Sequence, residues 1–103
     1  MSKNLKMCTL LDCYGKLLSD KQRFFAECYY NDDLSLAEIA ENEGLTKQGV
    51  RDSIKRAECQ LEEVEQKLGL VRKSDALKRL ARVCREDASE ANFVNLFDAI
   101  DNL

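Results

Sequence analysis

The densest run of side chains able to read a nucleic acid is Lys47, Gln48, Arg51, Lys55 and Arg56. Glutamine matches the edge of adenine and arginine that of guanine, whereas lysine and arginine also hold phosphates. Gln48 is thus an adenine reader, Arg51 a guanine reader, and Lys55 and Arg56 phosphate contacts. A helix turns about 100° per residue. With Val50, Ile54 and Ala57 on its buried side, the opposite side carries Gln48, Asp52, Lys55 and Cys59, flanked by Lys47, Arg51 and Arg56. Asp52 runs against this chemistry, since it points where phosphate density would lie, although a carboxylate can accept from a cytosine amine. The plain alternative for the four cations is an ordinary solvated face.

A second basic cluster follows. Residues 71–85 hold six basic groups, Arg72, Lys73, Lys78, Arg79, Arg82 and Arg85, against one acidic group. Such a stripe can track an RNA backbone. Residues 86–103 hold five acidic groups and no basic one, so neutralisation of the basic helix by this segment, within the fold or across a dimer, is the competing reading. The formal charge of -3 therefore conceals two basic islands, at 46–58 and 71–85, in an acidic chain. That charge limits non-specific affinity without forbidding a local site.

Other chemistries are poorly supplied. The 103 residues contain no histidine, which removes imidazole bases, Ser-His and Cys-His pairs and imidazole zinc sites. The five cysteines, Cys8, Cys13, Cys28, Cys59 and Cys84, are odd in number and include no C-x-x-C pair, as expected of scattered thiols used as small core residues. Met1 to Lys6 has no apolar run, and no stretch approaches the roughly 18 apolar residues of a membrane span. A reduced cytoplasmic protein is expected, not an enzyme, with no metal and no cofactor.

The elements that position the cationic run are helices. With no proline and four glycines, the chain lacks the punctuation of a β fold, and 45% apolar residues supply a core: the fold class is all-α. Met7, Leu10, Leu11, Tyr14, Leu17 and Leu18 predict a helix over 4–18. Ser19 with Gln22, and Ser35 with Glu38, have the capping-box form; the first opens a helix near Asp20 carrying Phe24, Phe25, Cys28 and Tyr29. Asn31-Asp32-Asp33 stops that helix. Gly44 suits a left-handed helix end, and Thr46 caps the next helix two residues later. Ala40 at the crossing, Gly44 in the turn and Val50 as apolar anchor, with Ile39 and Leu45 filling the core, make a helix-turn-helix.

The helix after Thr46 extends to Leu68, with Val50, Ile54, Ala57, Leu61, Val64 and Leu68 in one stripe. A coiled-coil seam has only about two heptads left outside the helix-turn-helix, so Leu61, Val64 and Leu68 are expected to pack on the first helix. Ser74 caps a fifth helix with Leu77, Leu80, Ala81 and Cys84 inward. Ser89 caps a sixth, with Phe93, Leu96, Phe97 and Ile100 as its apolar face. The organisation is a helix-turn-helix domain over 1–70 and a helical pair over 71–103 packing on the same domain.

Leu18-Ser19-Asp20-Lys21-Gln22-Arg23, the run from Tyr29 through Ala40, and Gly49 through Glu58 together resemble the YlxM-like helix-turn-helix family of small bacterial proteins. The resemblance covers about residues 4–70 and is sharpest over 18–58; residues 71–103 match no pattern of the family. It implies a helix-turn-helix similar to region 4 of sigma factors, with recognition residues at Thr46, Lys47, Gln48, Arg51 and Lys55. The family's genes commonly lie beside those of the signal recognition particle GTPase and its receptor, which implies regulation of that pathway. Two functions follow. One is a DNA-binding regulator, expected to be a homodimer because one short helix reads few base pairs. The other is an interaction protein that contacts signal recognition particle RNA or its GTPase.

Overall fold

Helix starts leave backbone N–H groups without intrahelical partners, and side chains of this sequence close on them. In the computed structural model, which describes residues 4–103, Asn4 Oδ1 accepts from the N–H groups of Lys6 and Met7 and opens α1, Leu5–Tyr14. Of the N-terminal stretch Met1 to Lys6, residues 1–3 lie outside that range. Ser19 and Gln22 form both halves of the expected capping box at the start of α2, Asp20–Tyr30, and Ser35 and Glu38 do the same for α3, Leu36–Glu43. Helix α4 is Lys47–Leu68, α5 Leu70–Glu86 and α6 Glu90–Asp101. No strand occurs among the described residues, and the fold is all-α.

Gly44 ends α3 at φ +65°, the left-handed region that glycine enters without steric cost. Leu45 N–H then donates to the Ala40 carbonyl at 2.9 Å and Gly44 N–H to that of Glu41 at 3.4 Å, the paired bonds of a Schellman end. The chain turns sharply enough for α4 to begin at Lys47. Between α3 and α4, Ile39, Ala40, Val50 and Ile54 are buried together with Phe25 and Cys28 of α2. Burial first, and then the carboxylates of Asp32, Glu43 and Glu27, raise the Cys28 thiol above its ordinary pKa. It is a protonated core residue.

The longer half of α4 packs on α1, as the stripe predicts for Leu61, which is buried with Leu10 and Ala57. Val64 is half-buried, but Leu68 is exposed: α1 is only ten residues long and does not follow α4 to its end. Other expectations also need correction. The first α-helix stops at Tyr14, and Gly15–Leu17 tighten into a 3-10 turn that takes Leu17 out to solvent while Leu18 returns to the core. Phe24 and Leu45 are exposed as well, the latter because the turn closes through its backbone N–H and not its side chain.

Two tyrosines tie the outer helices to α4. Tyr14 of α1 donates its hydroxyl to Glu65 Oε1 at 2.6 Å, with both residues buried. Tyr30 of α2 donates to Glu58 Oε2 at 2.5 Å. Burial, and next the hydrogen bond to Glu58, push the Tyr30 phenol above its ordinary value of 10.0. A phenol raised by folding holds its proton more tightly in the folded state. Its contribution is therefore whole below about pH 10 and is lost as pH rises towards the folded value. Thermal unfolding followed from about pH 9 upward is expected to lose stability more steeply in the wild-type chain than in Tyr30→Phe; parallel slopes would contradict this.

The chain divides into two compact units, one ending at Leu68 and the other spanning Gly69–Leu103. In the second, α5 starts at Leu70, capped by left-handed Gly69, not at Ser74. Nothing between Gly69 and Ser74 interrupts a helix, so Ser74 lies inside it. Cys84 is buried against α6 and donates its thiol to the Asn92 carbonyl at 3.4 Å. Ser89 caps α6 as expected. The inner side of α6 is Asn92, Leu96 and Ala99, each half-buried, whereas Phe93, Phe97 and Ile100 are exposed.

Candidate nucleic-acid interface

The helix-turn-helix core fixes which side of α4 faces outward. Val50, Ile54 and Ala57 are turned inward, so Lys47, Arg51 and Lys55, four residues apart, form one exposed stripe. Gln48, Asp52 and Arg56 form a second beside it, about 100° round the helix. Thr46 stands at the head of both. Its Oγ1 accepts from Gly49 N–H at 3.0 Å and so caps α4. A Cβ at position 49 would stand 3.1 Å from that hydroxyl oxygen, so glycine keeps the cap uncrowded.

Both acidic residues of the 46–58 segment are engaged. Glu58 accepts from Tyr30 on the side of α4 facing α2. Asp52 Oδ1 accepts from Gln48 Nε2 at 2.9 Å. The cations are not so occupied: Lys47, Arg51, Lys55 and Arg56 make no ion pair among the described residues. By contrast, Arg23 is held by Glu27 at 2.8 Å, and Lys67 by Glu63 at 3.3 Å. With Glu58 turned toward α2, the exposed face carries four cations against Asp52 alone, whose charge the neutral Gln48 amide does not cancel.

The bond from Gln48 to Asp52 does not silence Gln48. A side-chain amide has two N–H donors and a carbonyl with two lone pairs. One N–H is used by Asp52; the other and the carbonyl remain, which is the pair needed for the adenine edge.

Sequence reasoning passed over one cation. Lys21, in the first turn of α2, lines an open groove of about 470 Å³ with Ser19, Gln22, Gly49, Asp52, Ser53 and Arg56. Its ammonium also lies 5.9 Å from the centre of the Phe25 ring. No periodicity within α4 could reveal a residue brought in by another helix, although the capping box already placed Lys21 at a helix start.

The second cationic set lies in the Gly69–Leu103 unit. Arg72, Lys73, Lys78, Arg79, Arg82 and Arg85 are all exposed along α5, and Lys78, Arg82 and Arg85 share one side at helical spacing. All five cysteines are free, and no cluster of three potential metal ligands occurs among the described residues. Among those residues no helix is long and apolar enough to cross a membrane.

Comparison with known proteins agrees with this architecture. Residues 1–100 match the family described as "Putative helix-turn-helix protein, YlxM / p13 like". A UPF0122 protein of Halalkalibacterium halodurans is 40% identical over 107 aligned positions, covering all of this chain and 98% of the relative. UPF0122 proteins of Bacillus cereus strain AH187 and Bacillus anthracis strain A0248 are each 44% identical over 95 positions, covering 92% of this chain and 86% of the relative. With its compact α3–α4 corner and near full-length similarity, the chain belongs to the UPF0122, YlxM-like family of helix-turn-helix proteins.

Proposed function

We propose that the chain is a DNA-binding regulator that lays the first half of α4 in the major groove. The observation that carries this reading is the outward face of that helix: four exposed cations with no ion pair among the described residues, against one exposed carboxylate, Asp52, since Glu58 is turned to Tyr30. Arg51 reads guanine and Gln48 adenine. Thr46, Lys47, Lys55 and Arg56, joined by Lys21 across the groove, contact phosphates. Asp52 is a positioning residue, whose carboxylate holds the Gln48 amide in the orientation that offers N–H and carbonyl to adenine. The protein works as a homodimer in the cytoplasm, where thiols stay reduced. Following the family resemblance, its regulatory target is the signal recognition particle pathway, and its helix-turn-helix is of the sigma region 4 kind.

Asp52→Ala separates charge from orientation. It is expected to raise affinity for duplex of any sequence, by about 3-fold to 10-fold at low salt, because a like charge leaves the phosphate face. At the same time the preference for adenine at the Gln48 position should fall. Fluorescence anisotropy with duplexes differing at single base pairs reads both effects, and an unchanged preference would remove the positioning role.

A second reading, contact with signal recognition particle RNA or its GTPase through α5, rests on the exposed basic side of that helix. The two separate in one titration at matched salt, against duplex DNA from the gene's own neighbourhood and against signal recognition particle RNA. The proposal expects sequence-selective duplex binding that Arg51→Ala and Gln48→Ala each weaken. Weak, sequence-blind binding unchanged in both variants would overturn it, and tighter RNA binding lost in Arg79→Glu/Arg82→Glu would favour the second reading.

A further inference from the structure

The Gly69–Leu103 unit has 35 residues, and helical units below about 40 residues usually need a disulfide, a metal or association to stay folded. Its cysteine is free. Helix α6 contains no buried residue, although five of its twelve residues are large and apolar. Phe93, Phe97 and Ile100 recur at i, i+4 and i+7 and are 38%, 57% and 45% exposed, with Val94 beside them at 47%. The two phenyl rings lie against each other, 6.4 Å between centres and 21° from parallel, forming a continuous apolar strip.

Exposed charge in this unit is mainly basic along α5, with Asp75 and Glu86 as the acidic exceptions, and wholly acidic along α6. Among the described residues Lys78, Arg79, Arg82 and Arg85 of α5 make no ion pair, nor do Glu90, Asp98 and Asp101 of α6. Opposite charges adjacent in sequence are thus not paired within the hairpin. A second copy related by a two-fold axis can supply what each lacks, because in such a contact the same patch meets itself. Turned about that axis, the acidic margin of one α6 faces the basic α5 of the other while the two apolar strips meet. At these exposures the strip offers roughly 350 Å² per copy, so two strips bury about 700 Å², and the charged rims extend the contact toward the ~1,200 Å² lower range of stable interfaces. Nucleic acid would use the cations but would leave the apolar strip uncovered.

We infer that α5 and α6 form a dimerisation module: a second copy of this chain docks on the Phe93–Phe97–Ile100 strip, with α5 cations against the α6 carboxylates of the partner. This rests on the proposed function only in giving its dimer a surface. The association itself needs no DNA.

Sedimentation equilibrium of the full chain without nucleic acid tests it. The wild-type chain is expected to reach twice its 11.8 kDa mass at micromolar concentration. Phe97→Asp, at an exposed position, should weaken association by at least about 30-fold with helix content retained. The charge arm is independent of any folding defect in that variant. Arg79→Glu/Arg82→Glu and Asp98→Arg/Asp101→Arg should each dimerise poorly alone and recover when mixed. Arg51→Ala should dimerise as the wild type does, so failure of the DNA reading leaves this result intact. A wild-type chain that stays monomeric at about 100 μM would overturn the inference, whether the strip is then covered within the chain or by RNA. Dimerisation indifferent to all these substitutions would overturn it too.

Discussion

Arg51→Ala is expected to weaken binding to a preferred duplex by about 10- to 100-fold, the ~1–3 kcal/mol carried by a good bidentate contact to guanine. The loss should be confined to sites with guanine at the contacted position, so that discrimination falls with affinity. Lys55→Ala, one turn further on, provides the contrast: about the same proportional loss on every sequence, with the salt dependence of log K reduced by roughly one phosphate contact. Neither side chain has an ion-pair partner to lose, and both are exposed, so melting temperature should barely move in either variant. Anisotropy titrations across a salt series measure both quantities. Identical behaviour of the two variants would mean that Arg51 touches only backbone.

Ile39→Ala has the largest expected effect on stability. Ile39 is 1% exposed and lies where α3 meets Val50 and Ile54 of α4 and Phe25 of α2. Removing its outer carbons leaves a cavity that two helices locked by a tight turn cannot close, at a cost of about 2–5 kcal/mol. A small domain has only on the order of 5–15 kcal/mol in total, so this is a large share, and DNA binding should fail through unfolding. Leu45→Ala, two-fifths exposed at the turn itself, should cost less than about 1 kcal/mol, because the turn depends on its backbone N–H. Urea denaturation with an unchanged slope gives both numbers. A loss under about 1 kcal/mol for Ile39→Ala would contradict the packing described.

What the sequence disclosed follows from the range of the forces involved. Capping boxes at Ser19 and Ser35, the left-handed Gly44 and the caps at Thr46 and Ser89 are set within three or four residues, and each was legible. So was the inward side of α4, since 3.6-residue periodicity marks a face. Periodicity does not say how far the opposing helix reaches. That is why Leu17, Leu68 and the Phe93–Ile100 side of α6, which spacing places on apolar faces, stand in solvent. The Tyr14–Glu65 bond joins residues 51 positions apart, and Lys21 meets α4 only through the crossing of two helices, so neither leaves a local trace. The Gln48–Asp52 bond is different. Its i, i+4 spacing is legible in the sequence, which marks Asp52 as a partner for Gln48 as well as a charge on the face.

The claim that the first half of α4 is the nucleic-acid surface is tested most directly by amide chemical-shift mapping. The full chain, labelled with nitrogen-15, is titrated with a mixed-sequence duplex at low salt, where non-specific binding uses the same face. The expected perturbations run along Thr46, Lys47, Gln48, Arg51, Lys55 and Arg56 and extend to Lys21. Shifts confined to residues 72–85, or none at all, would contradict the account.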